Sequence, residues 1–286
     1  MKLLVTGCNG NLGRDVSEVL KNYGYNLIGI DLQKESDFEH YYNCDLRNFH
    51  HLEEIFLNEK HIDVIIHLAA KIDFSNIDNS LMDINLMGTY NLAFLGNKYN
   101  VGKIIYLSSI PISKPPQSIL DEFNYIDSPN TVYHLSKFLG EKVIQPPVYK
   151  NDYIIFRIAS PITTRMKDTF FSKTINNAKL NNDILVSGRG TRVQNYIDSR
   201  DIAAAIHKSI NTTVSGLFFL SGESISNIDL VRKIVSRLNS RSRVVINHEI
   251  STDDDVKWNI SREYCKSKLK FESVFLIEDM IDKLIG

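Results

Sequence analysis

Apolar residues along the chain fall into two kinds of run. Uninterrupted apolar blocks at 2–6, 26–30, 63–68, 103–108 and 153–158 predict buried strands. Between them lie stretches with helical spacing, as in Leu12, Val16, Val19 and Leu20, which predict helices over 11–23, 48–58, 81–99 and 132–144. Strands that are apolar throughout are buried on both faces, so the alternation predicts a parallel sheet covered by helices. Right-handed crossovers then make it a doubly wound, Rossmann-type α/β fold. A polar, proline-rich stretch at 111–129 interrupts the rhythm and is long enough to serve a function. Beyond Ser160 the elements shorten and glycines punctuate the chain at 188, 190, 216 and 222, which predicts a smaller C-terminal lobe.

Length and composition narrow the class without naming a function. With 286 residues, 43% of them hydrophobic and 23% charged, the chain can bury a large core and is not a disordered or fibrous one. Thirty-three basic against 34 acidic residues leave a net charge of −1, so no overall field draws a nucleic acid. Cys8, Cys44 and Cys265 form no CxxC pair, which argues against disulfides and structural zinc and fits a reducing cytoplasm. No run approaches the roughly 18 apolar residues of a membrane span, and the opening apolar block is too short for a signal peptide. His50 and His51, as neighbours on a helix, point to different faces, so no metal site is expected there.

The chemistry gathers where strands end. Gly7, Gly10 and Gly13 follow the first strand and open the first helix, the arrangement that lets a pyrophosphate approach backbone N–H groups at a helix N-terminus. Asp31 closes the second strand, where a carboxylate accepts hydrogen bonds from both adenosine ribose hydroxyls and repels a 2′-phosphate; this predicts NAD rather than NADP. Asp45 lies where it could meet the adenine amino group, or is simply a solvated turn aspartate. Asn85 is a polar residue inside an apolar helix with Gly88 beside it, and His67 reads as a core histidine.

Ser108 and Ser109 end the fourth of the long strands, at the edge where such sheets bind ligand, although serines are also common in turns. Tyr133 and Lys137 stand at i and i+4 on one face of the following helix. A phenol titrates near 10, and lowering that by about three units takes roughly 4 kcal/mol. The Lys137 ammonium and a nicotinamide cation are expected to supply it, making Tyr133 a proton carrier.

These residues resemble the extended short-chain dehydrogenase/reductase family, in its NAD-dependent nucleotide-sugar epimerase/dehydratase branch. TGCNGNLG at 6–13 is similar to the family's TGxxGxxG loop, and Cys44-Asp45-Leu46 to its adenine-side segment. HLAA at 67–70, NLMGTYNL at 85–92, YLSS at 106–109, YHLSK at 133–137 and GRGTRVQNYIDSRDIA at 188–203 follow in the family's order. The resemblance implies Ser109, Tyr133 and Lys137 as catalytic residues. It implies NAD contacts from Gly7, Gly10, Asn11, Leu12, Gly13, Asp31, Asp45, Leu46, Leu68, Ala69, Ala70, Asn85 and Ser108, with Tyr133 and Lys137 also touching the cofactor.

On the same reading, 1–160 is the cofactor domain and 161–286 is mainly a substrate-binding lobe, some of whose segments return to the sheet. Substrate contacts would come from Ser109, Ser160 and Arg192. Two departures fall here: Gln194 stands where most members carry an arginine, and Ser160 where an asparagine is usual. Ile110-Pro111 replaces the acid pair that follows the hydroxyl in sugar dehydratases, so dehydration is disfavoured. Three readings stay open: a C4 epimerase of a nucleotide sugar, a 4-keto-sugar reductase, and an NAD-binding module without activity. A homodimer through the helices at 81–99 and 132–144 is an expectation of the same resemblance.

Overall fold

The computed structural model describes residues 1–75, 80–248 and 254–286. Five of its strands are the expected apolar blocks: β1 (Lys2–Thr6), β2 (Asn26–Asp31), β4 (Val64–His67), β5 (Lys103–Ser109) and β6 (Asp152–Ile158), with the short β3 (Tyr41–Asn43) after β2. Together with β10 (Gly216–Leu220) they form one parallel sheet in the order β10-β6-β5-β4-β1-β2-β3. The strand order reverses between β1 and β4, whose following helices lie on opposite faces of the sheet, and such sheets take ligands in the crevice at this switch point.

Helix α1 (Asn11–Asn22) and α7 (Ser199–Ile210) cover one face of this sheet, sharing a core with Leu3, Val5 and Phe218. Helices α2 (Phe49–Glu59), α4 (Gly88–Lys98) and α5 (Val132–Val143) cover the other, around Leu4, Ile65, Ile104 and Tyr106. The sheet is therefore doubly wound, as the alternation predicts. The expected helix over 81–99 is a compound element: α3 (Ser80–Met82), a π-helical stretch (Asp83–Met87) and α4. Among the described residues no helix is long and apolar enough to cross a membrane.

The remaining strands build the second lobe. β7 (Ser160–Ile162), β9 (Val193–Asp198) and β11 (Glu223–Ser226) form a three-stranded sheet, and β8 (Ile184–Ser187) pairs with β12 (Val244–Asn247). With α6 (Phe170–Lys179), α8 (Asn227–Arg237) and α10 (Ile277–Ile285) they enclose a separate core around Phe171, Val186, Leu230 and Met280. The last helix but one, α9 (Glu263–Leu269), returns to pack beside β10.

Candidate active site

The loop after β1 is shaped by what its glycines exclude. Gly7 has φ +69°, and a Cβ there would lie 2.7 Å from Ala69 backbone atoms, so the loops after β1 and β4 touch through this residue. A Cβ on Gly13 would come within 2.0 Å of the Gly7 carbonyl oxygen. Gly10 differs, because a Cβ there would meet only that same oxygen, at 3.1 Å. It is the N-cap of α1, no side chain caps the helix, and its first turn holds no acidic residue. The turn's N–H groups at Asn11, Leu12 and Gly13 thus face outward beneath a residue without a side chain. That cradle fits a pyrophosphate.

Asp31 is held at the rim of this loop. Its Oδ2 accepts from the Asn9 backbone N–H at 3.0 Å and its Oδ1 from that of Gln33 at 3.2 Å, which orients the carboxylate for a diol. Asp45 is bound by Arg47 through Nε at 3.1 Å and Nη2 at 2.6 Å, and this guanidinium holds its carboxyl below the usual range. Leu46 packs against Gly88, where a Cβ would sit 3.1 Å from that of Leu46. Leu68, Ala69 and Ala70 continue from β4, with Ala69 N–H donating to Thr6 Oγ1 at 3.3 Å. Neutral His67, pushed well below its ordinary value by burial and by the Lys137 charge, joins Thr6 (2.7 Å) to Thr89 (2.8 Å). It is a core histidine, as its sequence position suggests.

Helix α5 brings the paired phenol and amine to this crevice. Thr131 caps it by accepting from the His134 N–H at 3.0 Å, and the helix packs on β5 and on the π-helical stretch. Both Tyr133 and Lys137 are buried, and Ser109 stands half-buried at the end of β5. The Ser108 hydroxyl points the other way and donates to Glu141 Oε1 at 2.5 Å. Asn85 Nδ2 donates to Ser136 Oγ and to the Lys71 carbonyl, both at 2.9 Å, while its Oδ1 accepts from Lys71 N–H at 2.8 Å. The asparagine therefore ties the chain after β4 to α5.

In the chain without cofactor, burial sets the electrostatics of this pair. Burial pushes the Tyr133 phenol up to about 12, with the Phe74 ring packed edge-on at 5.2 Å. Burial also takes Lys137 down to about 7, opposed by the Glu141 carboxylate. Its Nζ lies 4.0 Å from the Tyr106 ring centroid, a cation–π contact that partly replaces lost water. Without a cofactor the site thus favours neutral phenol.

Behind these residues lies an ion cluster that the motif pattern does not reveal. Arg157 on β6 makes a two-pronged pair with Glu141 (Nε 2.8 Å, Nη2 2.7 Å), and its Nη1 reaches Ser113 Oγ at 2.8 Å and Asp127 Oδ1 at 2.7 Å. Both Arg157 and Glu141 are fully buried.

A pocket opens next to Ser109, lined by Ile110, Pro111, Ala159, Ser160, Gln194, Asn195, Trp258 and Ile260. None of these side chains is charged. Ser160 and Gln194 come together because β7 and β9 pair in parallel, Ser160 opposite Tyr196. Arg192 is not among the lining residues. With its amide oxygen turned toward it, Gln194 accepts from Arg192 Nε at 2.7 Å and Nη2 at 3.2 Å, so the guanidinium is held through Gln194. Asn195 and Trp258 were not singled out by motif. The only signal for Trp258 is that it is the chain's one tryptophan.

Residues 3–218 match the model of a family described as the NAD dependent epimerase/dehydratase family. A Methanocaldococcus jannaschii protein provisionally named as a UDP-glucose 4-epimerase is 28% identical over 229 residues, 73% of each chain. Among solved structures, a Thermotoga maritima UDP-glucose 4-epimerase with UDP-glucose superposes with a TM-score of 0.89 at 19% identity, covering 100% of this chain and 97% of that one. The Bordetella bronchiseptica enzyme WbmG in complex with NAD and UDP gives 0.86 at 18% identity, covering 99% and 92%.

Proposed function

The chain belongs to the NAD-dependent epimerase/dehydratase family of extended short-chain dehydrogenases/reductases, and from that premise we propose that it inverts C4 of a nucleotide-activated sugar through a transient 4-keto intermediate. The observation that carries the reading is that α5, with buried Tyr133 and Lys137, packs on β5, which ends at Ser109 beside an uncharged pocket that begins at Ile110. NAD, when bound, supplies the acceptor for a hydride from C4 and returns it. The glycine loop and Asp31 hold its pyrophosphate and adenosine ribose, and Tyr133 and Lys137 meet its nicotinamide end.

Ser109 donates a hydrogen bond to O4 as that oxygen becomes a carbonyl. Tyr133 takes the O4 proton and gives it back when the opposite face is reduced, so protons and hydrides balance over one turnover. Arg192, presented by Gln194, grips the diphosphate, since a guanidinium binds phosphate oxygens through two donors. Two copies pair through α4 and α5, which carry exposed apolar residues.

The test is to incubate the protein with UDP-glucose or UDP-galactose, without added reductant, and follow the sugar by NMR beside absorbance at the NADH band. Interconversion without accumulation of NADH is expected, and the Tyr133→Phe variant should lose it by roughly 10²-fold or more. No interconversion there, with stoichiometric NADH loss in a parallel incubation supplied with NADH and a 4-keto nucleotide sugar, would establish the reductase instead.

A further inference from the structure

A second buried charge cluster lies between the two halves of the molecule, away from the reacting groups. Asp15, in the second turn of α1 and two residues past Gly13, is 8% exposed. Its Oδ2 accepts from Thr164 N–H at 3.0 Å and Ser199 Oγ at 2.6 Å, and its Oδ1 accepts from Thr164 Oγ1 at 2.6 Å. Lys283, from the C-terminal helix α10, places its Nζ 3.5 Å from Asp15 Oδ2 and 3.0 Å from Asp198 Oδ1. The same ammonium donates to the Ile162 carbonyl at 3.1 Å and to Ser199 Oγ. Arg200 completes the cluster, with Nε and Nη2 each 2.9 Å from the Asp198 carboxylate. Two carboxylates and two cations balance, and the Asp198 side chain is fully buried.

The partners decide what this cluster can do. Asp15 moves with the helix whose N-terminus forms the cofactor cradle. Ile162 and Asp198 end β7 and β9, paired opposite each other, and those strands begin with or carry Ser160, Gln194 and Asn195 of the pocket. The Lys283 side chain touches both ends and the helix. A packed, low-dielectric ion cluster tolerates little distortion, so a shift of α1 is passed to both strands.

We propose that the Asp15–Lys283–Asp198 cluster couples cofactor occupancy of the glycine loop to the shape of the substrate pocket, with Lys283 as a positioning residue. This rests on the reading that the pocket takes a nucleotide sugar. Binding at the loop orders α1, the cluster fixes β7 and β9, and substrate then meets a pocket already in its binding form.

The experiment uses Trp258 fluorescence and calorimetry to titrate UDP with and without saturating NAD. In the native chain NAD should tighten UDP by at least about five-fold, within the usual range of coupling between sites, and UDP should tighten NAD by the same factor. In Lys283→Met the coupling should fall below about two-fold while Lys283→Arg retains it. Asp15→Asn, which keeps an acceptor for Thr164 but loses the charge facing Lys283, serves if the methionine variant does not fold. Damage that is only structural weakens single affinities and leaves their coupling intact. Native UDP affinity indifferent to NAD, or coupling undiminished in the variants, overturns the proposal. Should UDP not bind the native chain, the substrate reading fails instead. The cluster is then judged by the change in Trp258 fluorescence on adding NAD, which must be present in the native chain and reduced in the variants.

Discussion

Lys137 sits in a place that suits turnover better than it suits the folded chain. Its amine is buried and driven down to about 7, so near neutrality the ligand-free protein carries an ammonium with little water around it. Between pH 7 and its ordinary value near 10.5, the unfolded chain holds a proton that the folded chain has released, and stability from this residue rises with pH across that window. Lys137→Met should therefore raise the melting temperature of the cofactor-free protein by a few degrees at pH 6.5, the gain shrinking toward pH 9. Turnover should fall by roughly 10²-fold or more, an activity–stability exchange of the familiar kind. Calorimetric scans at both pH values check this, and a methionine variant less stable at pH 6.5 would contradict it. The residue's position was legible from its spacing after Tyr133. Its electrostatic state was not, because that depends on Tyr106 and Glu141, which only the fold brings near.

At the scale of elements, the same distinction recurs. The long strands and α1, α2 and α5 were readable because each carries its own period and its own cap or glycine. β3 is three residues long, too short for a pattern, and the π-helical turn at Asp83–Met87 keeps apolar spacing while shifting Asn85 toward Ser136. The segment at 111–129 gives no local signal, since what orders it is remote: Glu122 accepts from Phe219 N–H at 2.7 Å, Leu120 N–H donates to the Asn259 carbonyl at 2.8 Å, and Asp127 meets Arg157. Arg157 and Glu141 join this segment to α5 and the end of β5. Breaking such a buried pair from one side leaves an uncompensated charge, so Glu141→Ala should cost about 3–5 kcal/mol in urea unfolding. The double variant Glu141→Met, Arg157→Met should cost less than Glu141→Ala alone, because both fully buried charges leave together and the carboxylate that loses a partner, Asp127, is partly exposed. Equal or additive losses would show that the two residues act separately.

For the whole molecule, what was legible followed how the chain builds each half. The residues proposed to hold the cofactor come from consecutive strand–helix turns, where backbone needs force glycine and show as motif. The pocket draws Ser160, Gln194 and Trp258 from three separated segments, so no spacing links them. The proposed pairing of two copies also belongs to this scale. Met87 (46% exposed), Tyr90 (40%) and Phe94 (44%) recur at three- and four-residue spacing on one face of the compound helix, and Leu135 of α5 is 39% exposed. Tyr90 stacks on Phe94 at 6.4 Å, and Phe49 meets Phe94 at 5.7 Å, so the face is an ordered apolar surface. Exposed patches of this kind mark interfaces, and a stable one buries about 800 Å² on each partner. Two helices that antiparallel copies could present to each other across a twofold axis supply such a surface. Light scattering behind size exclusion should give twice the chain mass for the native protein. Phe94→Glu, which would place a charge at the centre of the contact, should give a monomer that still binds NAD, since Phe94 lies on the outer side of the helix that Asn85 anchors. A monomeric native protein at micromolar concentration, or a dimer unchanged by the substitution, would locate any pairing elsewhere.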